Sequence, residues 1–376
     1  MSDRASERRL RCAIVLAALL LAGCSKRETK PSFHAEGFPE RLSEWTVLHA
    51  HDGVLELNDG VEPYDLATPL FSDYAQKLRT ISLPAGEAAA YDPDATFDLP
   101  VGTILTKTFY YAVSGDGVAA SPERTAIDGA LPLGGLRLLE TRVLARRQDG
   151  WIALPYVWNA EQTEATLQRT GAAIPLVLYR PDGRREEFSY FVPNALQCAA
   201  CHATNAATRA IEPIGIKARH LNKASSFAPG MNQLDHWRIA GLLSGEFSAA
   251  AVAPKNPSWT DGKADIDARA RAYLDANCSH CHSDVGPADT SGLDLRPHVP
   301  MGPAVGRCKA AIAAGSGSGG RPYDIVPGKP ERSILVWRME TEDPAAMMPE
   351  IGRAVTHEEG VALIQQWIAG LTGNCS

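Results

Sequence analysis

The residues of this chain best suited to chemistry fall in two short runs of one spacing. Cys198, Cys201 and His202 form the first, and Cys278, Cys281 and His282 the second; each reads Cys-x-x-Cys-His. That pattern is the attachment signature of a c-type haem. Two thiols one helical turn apart can each add to a vinyl group on one edge of the porphyrin. The histidine that follows then lies beneath the iron as its proximal ligand. Competing chemistries fit less well. Paired zinc knuckles stand about fifteen to twenty residues apart, whereas Cys201 and Cys278 are separated by a far longer stretch. A thioredoxin-like pair needs a βαβ setting, and neither run has one. Chance accounts for one match better than for two, each with its histidine. The cofactors expected are therefore two covalently held haems with their iron.

The start of the chain places these runs outside the cytoplasm. Arg4, Arg8, Arg9 and Arg11 make a basic n-region, and 12–22 is an apolar stretch shorter than the ~20 residues of a membrane span. Leu21-Ala22-Gly23-Cys24 resembles the bacterial lipobox, in which cleavage precedes a cysteine that then takes lipid. The alternative is an ordinary signal peptide that happens to contain a cysteine; small residues before Cys24 favour the lipoprotein. Residues 1–23 are thus read as a leader and 24–34 as a tether. A bacterial cell-envelope location facing the periplasm follows, with Ser25 compatible with outer-membrane sorting by analogy. Disulfides persist in that compartment. Of eight cysteines, Cys12 lies in the leader, Cys24 takes lipid and four take haem. Cys308 and Cys375 remain, and they are expected to pair and tie the C-terminal tail to the body.

The chain of 376 residues is long enough for two or three domains. Its net charge of −7 speaks against nucleic acid as a partner. Residues 35–190 read mainly as strands. Leu136–Ala145 and Trp151–Trp158 join through Asp149-Gly150, and Ile174–Tyr179 and Glu187–Val192 through Pro181-Asp182-Gly183, both strong hairpin signals. Further strands are expected over Leu78–Leu83 and Thr106–Tyr111. Short helices are expected over Phe38–Trp45 and Glu161–Arg169. Tyr156 and Trp158 share a sheet face and read as core. The result is an antiparallel, sandwich-like β domain in an α+β multidomain chain. The aromatic and polar segment from Tyr64 to Tyr74 reads as a packed loop with Asp65 and Asp73 serving turns.

Residues 191–255 carry the first run, which follows a strand rather than a helix. Its distal iron ligand is open among His220, Met231 and His236, and His49 and His51 also remain. Met231–Leu243 reads as an amphipathic helix on which His236 could equally be a polar-face residue. Residues 256–376 have a clearer order. Helix Asp265–Asn277 leads into Cys278, with Ile266, Ala270, Tyr273 and Leu274 on one face. A long loop then reaches Met347, Met348 and Pro349. A terminal helix, His357–Leu371, puts Val361, Ile364, Trp367 and Ile368 on one stripe.

Helix, haem run, loop, Met-Pro, helix resembles the order of a class I cytochrome c domain. That resemblance implies crossed first and last helices and Met348 as the distal ligand of the second haem, with Met347 the alternative. The segments Tyr64–Lys77, Tyr156–Asn159, Pro213–Asn222 and Met348–Gly352 together resemble a family of bacterial dihaem c-type cytochrome lipoproteins, over nearly the whole mature chain. It implies electron transfer with redox partner proteins of the envelope, membrane attachment through Cys24 and no particular substrate. The β domain and the unusual first haem depart from a standard dihaem tandem. Two other functions fit the sequence: a dihaem peroxidase-type enzyme with an open first haem, and a docking module that carries a cytochrome.

Overall fold

The computed structural model describes residues 30–120, 130–312 and 314–375. The leader 1–23 and Cys24 lie outside the described residues, so the lipid-anchor expectation does too. Among the described residues no helix is long and apolar enough to cross a membrane.

The architecture is α+β, with strands concentrated in the N-terminal half. In chain order the strands are β1 (Leu48–His51), β2 (Val54–Leu57), β3 (Glu62–Tyr64), β4 (Gln76–Ser82), β5 (Ala89–Ala90), β6 (Ile104–Ser114) and β7 (Gly117–Ala119). Then come β8 (Ala130–Pro132), β9 (Leu136–Arg147), β10 (Gly150–Trp158), β11 (Ala165–Leu167), β12 (Ala172–Tyr179), β13 (Arg185–Val192) and β14 (Leu243–Ser244). The α-helices are α1 (Ala195–His202), α2 (Ala218–Leu221), α3 (Gln233–Ile239), α4 (Ile266–Asn277), α5 (Ile334–Glu340) and α6 (Glu358–Ala369).

A nine-stranded sheet runs β11-β10-β9-β6-β7-β12-β13, with β4 on β6 and β3 on β4. Most pairs are antiparallel, and both predicted hairpins form. Arg147 pairs with Gly150 across the first turn. Tyr179 pairs with Arg185 across the second, where Gly183 supplies the left-handed residue at φ 86°. Two short pairs are parallel, β7 with β12 and β5 with β14.

Strand side chains alternate between faces, so the sheet has two coats. On one face a small sheet, β1-β2-β8, packs Leu48, Leu55 and Leu131 onto Leu78, Tyr110, Val143 and Tyr156. This is the sandwich-like layer, and Tyr156 and Trp158 lie in its core as expected. On the other face Ile81 and Leu105 meet Leu221, Leu234 and Trp237 from the chain after α1. Trp237 is fully buried; an aromatic of this kind removes roughly 150–250 Å² from water, which at about 25 cal/mol per Å² stabilises the packing by several kcal/mol.

The C-terminal region has its own core. Tyr273 and Leu274 of α4 pack on Val361, Ile364, Trp367 and Ile368 of α6. Asp265 caps α4, accepting from the backbone N–H groups of Asp267 and Ala268. The indole of Trp367 donates to Asp267 at 2.7 Å. Cys308 and Cys375, 67 residues apart, form the expected disulfide.

Three elements differ from the sequence expectation. The helix expected over Phe38–Trp45 is only a single 3₁₀ turn over Leu42–Trp45. Glu161–Arg169 is not a helix. The Asn159 side chain accepts from the backbone of Thr163 and Glu164 and closes a turn. The chain then pairs with β10, burying Ala165 completely. The helix expected over Met231–Leu243 is shortened to α3. Asn232 caps its start, Gly241 turns left-handed at φ 74°, and Leu243 is diverted to pair with Ala89.

The segment from Tyr64 to Tyr74 is more than a packed loop, because it clamps the two halves together. Phe71 N–H donates to Asn277 of α4 at 2.8 Å. Thr68 donates to the Pro257 carbonyl and accepts from Trp259 N–H, both at 3.0 Å. Asp73 accepts from the N–H groups of Ala354 and Val355 at 2.7 and 3.0 Å. Phe71 stacks on His357 with ring centres 4.1 Å apart.

Candidate functional site

Strand β13 delivers the first run. Two residues after it, Asn194 caps α1 through its side chain, and Gln197 returns a bond to Asn194 N–H. Cys198 and Cys201 are three apart on this helix and so share a face. His202 is its last residue. Its Nδ1 lies 2.6 Å from the Glu212 carbonyl oxygen. A carbonyl only accepts, so Nδ1 is the donor and, in the neutral ring, Nε2 keeps its lone pair.

Helix α4 delivers the second run. After Cys278 the chain tightens, with Cys281 and His282 N–H both donating to the Cys278 carbonyl at 3.1 and 2.9 Å. The turn closes where a Cβ on Gly286 would collide with the Cys281 carbonyl. The Nδ1 of His282 lies 3.1 Å from Ser291 Oγ. That hydroxyl gives its single proton to the Ala288 carbonyl at 2.7 Å, so His282 Nδ1 donates to it. Both histidines therefore hold Nδ1 on an oxygen and leave Nε2 available, the arrangement that fixes a metal-binding imidazole.

The two runs are neighbours. Cys281 Sγ lies 3.9 Å from the Ala200 carbonyl of α1. Just downstream, Ala206 N–H donates to the Val285 carbonyl at 2.7 Å. None of the four run cysteines is in a disulfide.

A large cleft opens beside α1, enclosing about 1420 Å³ with open solvent included. Its walls come from distant parts of the chain: Cys198, Cys201 and His202 of α1, Leu105 and Leu144 of the sheet, Leu66 and Thr68 of the clamp. Ile216, His220, Ser279, His280 and Ile351 close it. Three cations stand in register across its sheet wall, Arg79 opposite Lys107 and Lys107 opposite Arg142. Like charges so placed repel. Glu140, with a fully buried carboxylate, answers one of them, taking Arg142 Nε at 2.9 Å and the Tyr190 hydroxyl at 2.7 Å. Burial and the charges of Arg142 and Arg79 push the Lys107 ammonium down to about 7. Burial, then the Lys107 charge, lowers His202 to about 4. Burial and Arg338 lower His282 to about 4. Both rings are neutral at pH 7 and fit to bind iron.

On the cleft wall, Asp275 of α4 accepts from Arg219 at 2.7 and 3.0 Å, from Asn256 at 2.8 Å and from Ser279 at 2.9 Å. Burial opposes its ionisation, yet His220, Arg219 and these bonds hold it well below the usual carboxylate range. Burial lowers His220 itself to about 4, so at pH 7 the charge is supplied by Arg219.

The distal candidates are scattered. His220 lines the cleft with Nδ1 buried and unpartnered. Met231 is 37% exposed, His236 Nε2 lies 2.6 Å from Glu62, and His49 and His51 stack on each other on β1; none of these four lines the cleft. Met348 N–H donates to the Arg338 carbonyl at 2.8 Å, and Met347 N–H to that of Asp343. The Met348 loop continues into Pro349, Ile351 and Gly352 on the cleft wall. His280, which the sequence did not single out, also lines the cleft, with Nδ1 buried and unpartnered. Its only signal was its place between two cysteines, and that says nothing of where the ring points.

Among the described residues no three His, Cys, Asp or Glu side chains converge to hold a metal ion by themselves. A haem iron asks less, one or two axial side chains, and the donors present match that demand. No protein-family model, curated protein or solved structure matches the chain.

Proposed function

We propose that each Cys-x-x-Cys-His run holds a covalent haem and that the protein is a dihaem electron carrier of the bacterial cell envelope. In this reading Cys24 takes the lipid anchor and redox proteins are the partners. The observation that carries it is the matched pair of histidines, each with Nδ1 committed to an oxygen and Nε2 left for iron, on runs that lie side by side.

Haem, when bound, supplies an iron that cycles between Fe(III) and Fe(II). The chain does the rest. Cys198 and Cys201 tether one macrocycle, and Cys278 and Cys281 the other. His202 and His282 fix the proximal sides. Leu66, Leu105, Leu144 and Ile216 exclude water from the first cleft. Arg79, and Lys107 where it is protonated, favour the less positive oxidation state there, while Glu140 offsets Arg142. Met348 is the proposed distal ligand of the second haem. It belongs to a segment tied to Arg338, whose charge also bears on His282.

A redox titration followed in the visible spectrum tests this reading. Two one-electron waves of equal amplitude are expected, the Met348 haem at the higher potential because thioether favours Fe(II). A chain with no haem absorption, or with a single wave for one haem, contradicts it.

A further inference from the structure

We infer that His280, lying between the cysteines of the second run, is the distal iron ligand of the first haem. This rests on the dihaem reading and assigns a residue the spacing could not.

Of the second run, only Ser279 and His280 line the cleft that holds Cys198, Cys201 and His202; Cys278, Cys281 and His282 do not. The side chain of His280 thus points away from its own attachment site and into the neighbouring one. It is 8% exposed. Its Nδ1 is buried without a partner, and its ring makes no hydrogen bond among the described residues. Neither ring nitrogen is thus hydrogen-bonded by a described group, so Nε2 is free to take iron in the cleft, with Nδ1 staying buried beside it. The backbone just before it is pinned, since the one hydroxyl proton of Ser279 is shared between the carbonyl and the carboxylate of Asp275, 2.8 and 2.9 Å away.

His220 is the competitor, because it lines the same cleft with an unpartnered Nδ1. Its Nε2, the nitrogen that reaches furthest from the backbone, faces Asp275 at 3.5 Å instead. His280 and Cys281 are consecutive. A short covalent path then runs from one iron through the imidazole and backbone to the thioether of the other haem. With both haems attached, His280 and Cys281 would offer this path for one electron to pass between them, with no further reactant.

The test uses the full chain made in a host that attaches c-type haem, as wild type, His280→Ala, His280→Met and His220→Ala. Intact mass is read first: a wild type without two haems defeats the dihaem reading itself, separately from this inference. With two haems in place, the wild type should be six-coordinate and low-spin at both irons and bind no carbon monoxide when reduced. His280→Ala should convert one iron to high spin and bind one carbon monoxide per chain, and added imidazole should restore the low-spin spectrum. His280→Met, which keeps a ligand and serves if the alanine variant does not fold, should raise one midpoint potential and leave the other. Unchanged spectra in both His280 variants overturn the inference. So does a wild type that binds carbon monoxide, or a high-spin conversion produced by His220→Ala instead.

Discussion

Met348 carries a prediction that belongs to one side chain. If its thioether binds the second iron, the oxidised protein shows the weak sulfur-to-iron band in the far red. Met348→His should abolish that band and lower one midpoint potential while leaving the other unchanged. A band that survives in Met348→His and vanishes in Met347→Ala moves the role to the neighbour. Lys107 carries a second. Its folded pKa is held down to about 7 by burial and by Arg142 and Arg79, below the ~10.4 of a free lysine. Between those values the unfolded chain binds the proton and the folded chain does not, so this lysine makes stability rise with pH across that window. The thermal midpoint should climb from pH 7 to 9, and Lys107→Met should be more stable at pH 7 with a shallower climb. A slope that Lys107→Met leaves intact assigns it to other groups. The two Cys-x-x-Cys-His runs were legible because the attachment chemistry proposed for them demands that spacing. His280 was not, because nothing in a motif records the direction of its intervening residues.

Elements were legible where a local rule suffices. Asp149-Gly150 and Pro181-Asp182-Gly183 gave their hairpins, and the apolar stripes of α4 and α6 gave theirs. Local rules failed at β11, where pairing with β10 overrides helix-forming residues, and at α3, where Leu243 is claimed by Ala89. The clamp could not be read at all as a clamp, since Asp73 and Val355 meet across 282 positions. Arg219 and Asp275 belong to this scale, joining α2 to α4. The carboxylate is fully buried, so Arg219→Ala leaves it with fewer partners and should cost about 3–5 kcal/mol. Denaturant unfolding of the haem-loaded protein measures this, and a loss below about 1 kcal/mol would mean that water replaces the guanidinium without penalty.

At the scale of the whole molecule, the division into a β domain and a region carrying the two Cys-x-x-Cys-His runs understates how they share work. The sheet of the β domain forms one wall of the cleft beside α1, while α4 and the Met348 loop form others. The Cys308–Cys375 bridge closes a loop of 67 residues, which on chain-entropy grounds is worth about 4 kcal/mol. Cys375→Ser should lower the unfolding free energy by an amount of that order without moving either midpoint potential; equal stability of the two proteins would show that the bridge constrains little. The central claim is that this fold exists to hold two haems beside each other. Intact mass spectrometry of the mature chain after acid–acetone extraction tests it most directly. Two haem groups should remain attached to the wild type, one to Cys198→Ala/Cys201→Ala and one to Cys278→Ala/Cys281→Ala. A wild-type mass with one haem or none would contradict the account.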